Sequence, residues 1–186
     1  MREQILTSAQ RLVQQRGFNG FSYADIADEV GIRKASLHHH FPTKTDLGIA
    51  LIDGYTQQLD NELHRISGAY GQADAQLKAY IAIFRASLEA SRMCLGGMLA
   101  TEALTLDPAI LPNLKRFFNR NTEWLAEMLA VGSAQQLFVL TGTAADHARM
   151  LLSALQGALL VARATGDHDA FEQTALLLVT GLTRKG

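Results

Sequence analysis

Residues 21–47 read FSYADIADEVGIRKASLHHHFPTKTDL and predict two short helices joined by a tight turn. Ser22 is a favourable N-cap for the first helix, and Gly31 permits the sharp turn that follows it. The second helix, over residues 34–40, must end before Pro42, because proline cannot continue a helix. This arrangement predicts a helix-turn-helix, a motif with which many proteins read DNA.

The same stretch resembles the DNA-binding domain of the TetR family of bacterial repressors. That family's pattern runs from F-[ST]-x-x-x-I-A-x-x-x-G-[VI] to L-[YH]-x-[HY]-F-x-[ST]-K-x-x-L. The matching residues are Phe21, Ser22, Ile26, Ala27, Gly31, Ile32, Leu37, His38, His40, Phe41, Thr43, Lys44 and Leu47. Two positions depart from the family: Arg33 stands where it usually has Ser or Thr, and His38 stands where it usually has Tyr.

Candidate DNA contacts lie on and around the second helix of the motif. Because the first residues of such a helix meet base edges in the major groove, we expect Lys34, Ala35 and Ser36 to read bases. The N-terminus of the preceding helix can hold a phosphate through its backbone N–H groups. The resemblance further implies contacts with the DNA sugar–phosphate backbone for Ser22, Tyr23, His38 and Lys44. The full predicted set is Ser22, Tyr23, Arg33, Lys34, Ala35, Ser36, His38, His39 and Lys44.

Composition limits the class of protein. The 186 residues are 48% hydrophobic with a formal net charge of −1, so any DNA-binding surface must be local. A single cysteine excludes a disulfide within the chain and suits a reducing compartment. Without a signal-peptide pattern or a long apolar run, we expect a cytoplasmic protein with no membrane contact.

Helical periodicity and only three prolines predict an all-α fold of about nine helices. We expect an N-terminal helix-turn-helix domain over residues 1–47 and a ligand-sensing and dimerisation domain over residues 48–186. The predicted helices are 2–16, 23–30, 34–40, 43–66, 74–92, 98–104, 108–131, 143–165 and 169–184; residues 67–72 and 94–97 are predicted breaks, and 132–142 a packed connector.

The two final helices are apolar on more than one side. A single small domain cannot cover all of that surface, so we expect a homodimer formed through residues 143–184, with Leu155 and Leu159 in the contact. The alternative is that both helices only fill the domain core. A dimer would match a palindromic double-stranded operator, since two half-sites give the specificity that one reading helix lacks.

The resemblance also implies a pocket for a small-molecule inducer in residues 48–186. The candidate ligand-binding residues are Phe84, Cys94, Met98, Phe117, Trp124, Met128, Met150 and Gln156, chosen because Met and aromatic side chains adapt to irregular ligands. Plain core packing is the alternative for each. The stretch CLGGMLATEA, residues 94–103, resembles sensor domains of electrophile-sensing repressors. Arg92 and a following helix start favour a reactive Cys94 thiolate; an inert, half-buried thiol is the alternative.

Other functional classes find little support. Consecutive residues on a helix point about 100° apart, so His38, His39 and His40 cannot converge on one metal ion, and we expect no metal and no cofactor. Enzyme signatures such as a nucleophile elbow, a phosphate loop or HExxH do not occur, so we expect no enzyme. The sequence favours a dimeric repressor released by a small molecule or electrophile. The alternatives are an activator, a corepressor-dependent regulator, or a helical carrier or enzyme with a vestigial DNA-binding part.

Overall fold

The computed structural model describes residues 1–183, and within that range every regular element is a helix. The α-helices are α1 (Arg2–Arg16), α2 (Tyr23–Val30), α3 (Lys34–His40), α4 (Lys44–Ala69), α5 (Ala73–Glu89), α6 (Leu95–Thr101), α7 (Leu111–Ala134), α8 (Ala144–Thr165) and α9 (His168–Leu182), with a 3-10 turn at Pro108–Ile110. The predicted all-α class is confirmed. The predicted last residue of the final helix, Arg184, lies outside the described residues.

The chain divides into two compact units, and α4 and α7 contribute residues to both. The first unit contains residues 1–58 and 92–118; the second contains residues 59–91 and the described residues from 119 onward. The predicted functional boundary at residue 47 falls within α4, and it remains a prediction. Within residues 1–183, no helix combines the length and apolar character that crossing a bilayer requires.

Helices α1, α2 and α3 pack around a small apolar core in the first unit, and their bounds match the sequence predictions. Ile5, Ile26 and Leu37 are fully buried, one from each helix. Gly31 adopts a φ of 72°, and this left-handed conformation, which glycine adopts at little cost, ends α2 and permits the turn. We call residues 1–47 the reading head.

Helix α4 begins with an acidic capping arrangement. The Asp46 carboxylate accepts hydrogen bonds from the backbone N–H and the hydroxyl of Thr43, while the Asp46 N–H donates to that hydroxyl oxygen. Further along, Gly48 lets the Ile110 and Phe18 side chains approach the helix closely. A Cβ atom at Gly48 would lie 2.7 Å from Ile110 Cδ1. Residues 92–118 therefore pack directly on the reading head.

A short helix follows a break after α5, as predicted, but the predicted bounds are wrong: residues 95–97, expected in the break, are helical, and residues 102–104, expected in the helix, are not. Helix α6 begins at Leu95, directly after Cys94, and includes both glycines of the predicted break. A Cβ atom at Gly96 would lie 2.3 Å from the Phe117 ring. The glycine is therefore required by tertiary packing inside a helix, a reason that local propensity cannot reveal.

Other boundaries also differ from the sequence predictions. Helix α4 continues to Ala69, beyond the loop predicted from residue 67, and α5 ends at Glu89 instead of Arg92. Helix α7 begins at Leu111 instead of residue 108, where the 3-10 turn lies, and continues to Ala134, into the predicted connector. Ser67 stays helical, and its hydroxyl accepts a hydrogen bond from Trp124 Nε1 at 2.9 Å. A tertiary contact of this kind can outweigh the weak helix propensity of Ser and Gly.

The second unit has a core built from α5, α8 and α9. Leu77, Leu155 and Phe171 are fully buried there. The connector before α8 contains no strand, as predicted. Its Phe138 side chain packs where a Cβ atom at Gly132 would clash, at 2.2 Å from Phe138 Cδ2, so this connector is fixed by packing.

Candidate DNA-binding surface and sensor residues

Helix α3 presents most of its side chains to solvent. Only Leu37 is buried in this helix, at the reading-head core. The exposed residues on and just before α3 are Arg33, Lys34, Ala35, Ser36, His38 and His39. These are the residues predicted to reach base edges and their flanks, and the fold leaves all of them accessible.

The start of α3 lacks a side-chain cap. Arg33 occupies the N-cap position without a side-chain hydrogen bond to the helix, and its carbonyl accepts the N–H of Ser36 at 2.9 Å. The Ser or Thr usual in the family would satisfy one of the free N–H groups at this end. In this chain the free backbone N–H groups at the start of α3 stay available to solvent or to DNA.

The start of α2 carries an acidic side chain close to the predicted phosphate position. The Asp25 carboxylate accepts hydrogen bonds from the backbone N–H and the hydroxyl of Ser22, both at 2.7 Å. These two bonds lower the pKa of the Asp25 carboxyl. A phosphate at this helix end would therefore meet the backbone N–H groups of Tyr23 and Ala24, which have no acceptor within the helix, beside the negative charge of Asp25.

The Tyr23 side chain points into the protein, whereas the family resemblance implied that Tyr23 contacts the DNA backbone. Its side chain is buried, and its hydroxyl lies 2.9 Å from the Phe41 carbonyl oxygen and 2.6 Å from that of Thr43. Burial and the charge of Asp46 raise its pKa to about 12. The Tyr23 hydroxyl therefore ties α2 to the turn between α3 and α4, and does not point to solvent.

Lys44 is also held from inside the reading head. Its ammonium donates to the carbonyl oxygen of Phe21 at 2.6 Å and lies 4.3 Å from the centre of that ring and 5.0 Å from the Phe18 ring. Burial lowers the pKa of Lys44, while the nearby charges of Glu102 and Asp25 act to raise it. The ammonium is half-buried and immobilised beside the start of α2.

His38 has one ring nitrogen engaged and the other still available. Nδ1 lies 3.2 Å from the Pro42 carbonyl oxygen, and the ring packs 4.8 Å from that of Tyr23. Since a carbonyl can only accept, Nδ1 carries the proton, and Nε2 is left for solvent or DNA. Among residues 1–183, no group of three or more His, Cys, Asp or Glu side chains is arranged to hold a metal ion.

The predicted sensor residues divide between the two units. Cys94, Met98 and Phe117 belong to the first. Cys94 precedes α6 as its N-cap and is only 7% exposed, which favours the inert alternative over a freely reacting thiol. Phe117 is buried against Gly96 and lies 5.5 Å from the Tyr55 ring.

In the second unit, an aromatic cluster forms around a residue that the sequence prediction missed. The Tyr80 ring stacks on Trp124 at 5.6 Å and contacts Phe84 at 5.5 Å. Its buried hydroxyl donates to Asn121 Oδ1 at 2.8 Å. In the sequence, a Tyr at helical spacing looks like an ordinary core residue. The hydrogen bond to Asn121 marks Tyr80 as different in the structure.

A polar cavity of about 230 Å³ adjoins Trp124. It is lined by Asp60, Leu63, His64, Ser67, Arg120, Glu123, Trp124 and Glu127. The other predicted sensor residues of this unit differ in burial: Met128 is buried and Gln156 is half-buried. Met150 is 52% exposed on the outside of α8, so its predicted place in a pocket wall finds no support in the described residues.

Large apolar side chains are exposed on both α8 and α9. They are Met150, Leu160, Val161, Leu176 and Leu177, each between 45% and 73% exposed. Leu155 and Leu159, predicted to form the dimer contact, are instead fully buried in the core of the unit. The two-sided apolar character of α8 is thus real, but the outward side is formed by other residues. We call these five residues the α8–α9 face.

Comparisons with known proteins agree with this geometry. The family model described as "Bacterial regulatory proteins, tetR family" matches residues 5–51. A crystal structure of a TetR-family regulator from Agrobacterium tumefaciens superposes with a TM-score of 0.95 at 34% identity, covering 98% of this chain and 97% of the other.

Two curated relatives match nearly the whole chain. A helix-turn-helix regulator from the lacX 3′ region of Lactococcus lactis is 27% identical over 100% of this chain and 94% of its own length. The repressor NemR of Escherichia coli is 23% identical over 92% of this chain and 88% of its own length. With a solved relative above 30% identity along nearly its full length, and an exposed recognition helix in the matched segment, the chain belongs to the TetR family and is a DNA-binding transcriptional regulator.

Proposed function

We propose that the protein is a dimeric repressor that a small molecule releases from a palindromic operator. The observation that carries this proposal is the pairing of two exposed surfaces in one chain. One is the solvent-facing side of α3, and the other is the apolar α8–α9 face. A DNA reader with one short recognition helix gains specificity by binding as a pair, and an unpaired apolar face offers the means to pair.

Base reading is assigned to Lys34, Ala35 and Ser36. Lys34 can donate to guanine or to phosphate, Ala35 can contact a thymine methyl group, and Ser36 can pair with several bases. All three are exposed on the same short helix. Arg33 and His39 flank them and add positive charge or hydrogen-bond donors beside the phosphates.

Phosphate contacts are assigned to the backbone N–H groups at the start of α2 and to Lys44. His38 is left out, because its Nδ1 proton is bonded to the Pro42 carbonyl and its Nε2 then offers an acceptor, as a phosphate oxygen does. Lys44 is the strongest of these candidates, because its ammonium is already fixed beside that helix start by the Phe21 carbonyl. Three N–H donors are present on an ammonium group, so the bond to Phe21 leaves donors for a phosphate oxygen. Tyr23 contributes by its backbone and by holding the α3–α4 turn.

Dimerisation is assigned to the α8–α9 face, within residues 143–184; of these, residue 184 lies outside the described residues. Exposed apolar side chains favour association with a complementary surface, and a two-fold dimer supplies that surface from a second copy. Leu176 and Leu177 are the most exposed members and should contribute most.

Ligand sensing is assigned to two groups of buried or half-buried aromatic and sulfur-containing residues. One group is Cys94, Met98 and Phe117, and the other is Phe84, Trp124 and Met128, with Gln156 as a polar member. Repression itself is supported by the relative NemR, which is named as a repressor. Since Cys94 is buried, its modification by an electrophile would require a local opening of the segment before α6.

Two measurements test the proposal. The wild-type protein is used to select duplexes from a random pool, and a palindromic consensus with two equal half-sites is expected. The selected duplex is then placed across a promoter that drives a reporter. Reduced transcription on expression of the protein supports repression. A non-palindromic site or increased transcription would each contradict the corresponding part.

A further inference from the structure

The carboxylate of Glu102 reaches from the end of α6 to the turn between α1 and α2. Its Oε2 accepts a hydrogen bond from the backbone N–H of Asn19 at 2.9 Å. Next to it, the Asn19 side-chain amide donates to Thr105 Oγ1 at 3.0 Å. All of these residues belong to the first unit. The contacts therefore connect the part of the chain predicted to sense a ligand with the reading head.

The turn is shaped around this carboxylate. Gly17 has a φ of +84°, a conformation that side-chain-bearing residues rarely adopt. A Cβ atom at Gly17 would also lie only 2.1 Å from Glu102 Oε1. Glycine is therefore required at this position both for the backbone conformation and for the close approach of Glu102.

The same turn leads directly to the residues that hold Lys44. Phe18 precedes Asn19 in the chain, and its ring lies 5.0 Å from the Lys44 ammonium. The Phe21 carbonyl accepts from that ammonium at 2.6 Å. Glu102 also attracts Lys44 through its charge, which counteracts part of the lowering of the Lys44 pKa that burial causes. Glu102 thus acts on Lys44 both through the turn and through space.

We propose that Glu102 is a positioning residue for the phosphate contact of Lys44. By holding the Asn19 N–H, it fixes the turn, so that Phe18 and the Phe21 carbonyl keep the Lys44 ammonium at the start of α2. A movement of α6 that withdraws Glu102 loosens this ammonium and weakens DNA binding. The inference rests on the proposed function, in which Lys44 binds a phosphate, and it gives the α6 segment a route to the DNA.

Electrostatics alone predict the opposite effect, which makes the test sharp. Removing a negative charge close to a polyanion strengthens binding, so a loss of affinity cannot come from the lost charge. Glu102→Gln removes the charge but keeps an oxygen that can accept the Asn19 N–H. Glu102→Ala removes both. Glu102→Asp keeps the charge, but its side chain is shorter by one carbon, so its carboxylate lies too far from the Asn19 N–H to replace the 2.9 Å hydrogen bond.

The experiment measures affinity for a duplex selected by the wild-type protein, across a range of salt concentrations. Each Glu102 variant is made alone and in a Lys44→Met background, and thermal unfolding verifies that all are folded. We expect Glu102→Gln to bind within about threefold of wild type. Glu102→Ala should bind about five- to tenfold more weakly than Glu102→Gln, and Glu102→Asp about five- to tenfold more weakly than the equally charged wild type, which is the worth of one net hydrogen bond. In the Lys44→Met background both differences should vanish.

Equal affinities of the Ala and Gln variants would overturn the inference. So would an undiminished difference in the Lys44→Met background, because a purely structural role does not depend on Lys44. If Glu102→Ala fails to fold, the comparison of Glu102→Asp with the equally charged wild type carries the test. A wild-type protein that selects no duplex would refute the proposed function itself. If Lys44→Met weakens DNA binding but Glu102→Ala and Glu102→Gln bind with equal affinity, only this inference is refuted, and the phosphate contact of Lys44 stands.

Discussion

Replacing Leu177 with Glu should dissociate the proposed dimer. Leu177 is 73% exposed on the α8–α9 face. Fully burying a leucine side chain contributes roughly 1.5–3 kcal/mol, so the exposed part of Leu177 contributes about 1–2 kcal/mol per copy. A two-fold dimer uses it twice, which gives about 2–4 kcal/mol. Because about 1.4 kcal/mol changes an equilibrium constant tenfold, the dimer dissociation constant should rise at least about 30-fold, and charge repulsion adds to this.

Sedimentation velocity over a wide concentration range measures this dissociation constant directly. Leu104→Glu is the matched control, since Leu104 is fully exposed in the first unit and lies outside the α8–α9 face. Leu155→Ala is a second control. It should destabilise the fold by about 2–5 kcal/mol, because Leu155 is fully buried in the core. If the wild type is a monomer at micromolar concentration, or if both Glu variants dissociate equally, the assignment of the dimer surface is wrong.

Three further outcomes are expected. Lys44→Ala should weaken binding to all duplexes similarly and reduce the salt slope by about one, as fluorescence anisotropy titrations at several salt concentrations will measure; an unchanged slope contradicts a phosphate contact. Gly96→Ala should lower the unfolding free energy by about 1–3 kcal/mol, because its Cβ would overlap the buried Phe117 ring; unaltered thermal unfolding contradicts this packing. His38→Ala removes the Nδ1 bond to the Pro42 carbonyl and the ring contact with Tyr23, so it should lower the unfolding free energy by about 0.5–1.5 kcal/mol; unaltered thermal unfolding contradicts this contact.

The reading head could be predicted because its signals are local. The first three helices end at glycine or proline punctuation, and apolar residues recur at helical spacing, so their bounds follow from the sequence. The acidic side chains at Asp25 and Asp46 act at helix starts three residues after a hydroxyl residue. Such interactions span one turn and need no information from distant parts of the chain.

Features that depend on packing could not be predicted in the same way. Gly96 looks like a helix break in the sequence, yet it is needed for contact with Phe117, which is 21 positions away. Helix α8 is apolar on two sides, and periodicity alone does not tell which side faces the core. Packing places Leu155 inside and Leu160 outside, and this reverses the residues chosen for the dimer contact.

The residues predicted to contact DNA differ in whether their side chains already have partners inside the protein. This difference separates the residues that select the base sequence from those that supply affinity for any DNA. Lys34 and Ser36 are exposed, whereas the polar groups of Ser22, Tyr23 and Lys44 already have partners inside the reading head. Groups that are held in place lose little conformational entropy on binding, so they suit phosphate contacts that fix the register of the protein on DNA. Exposed side chains on α3 are free to adjust to base edges. Substitutions on α3 should therefore change which sequence is bound, and disruption of the internal contacts should weaken binding to every sequence alike.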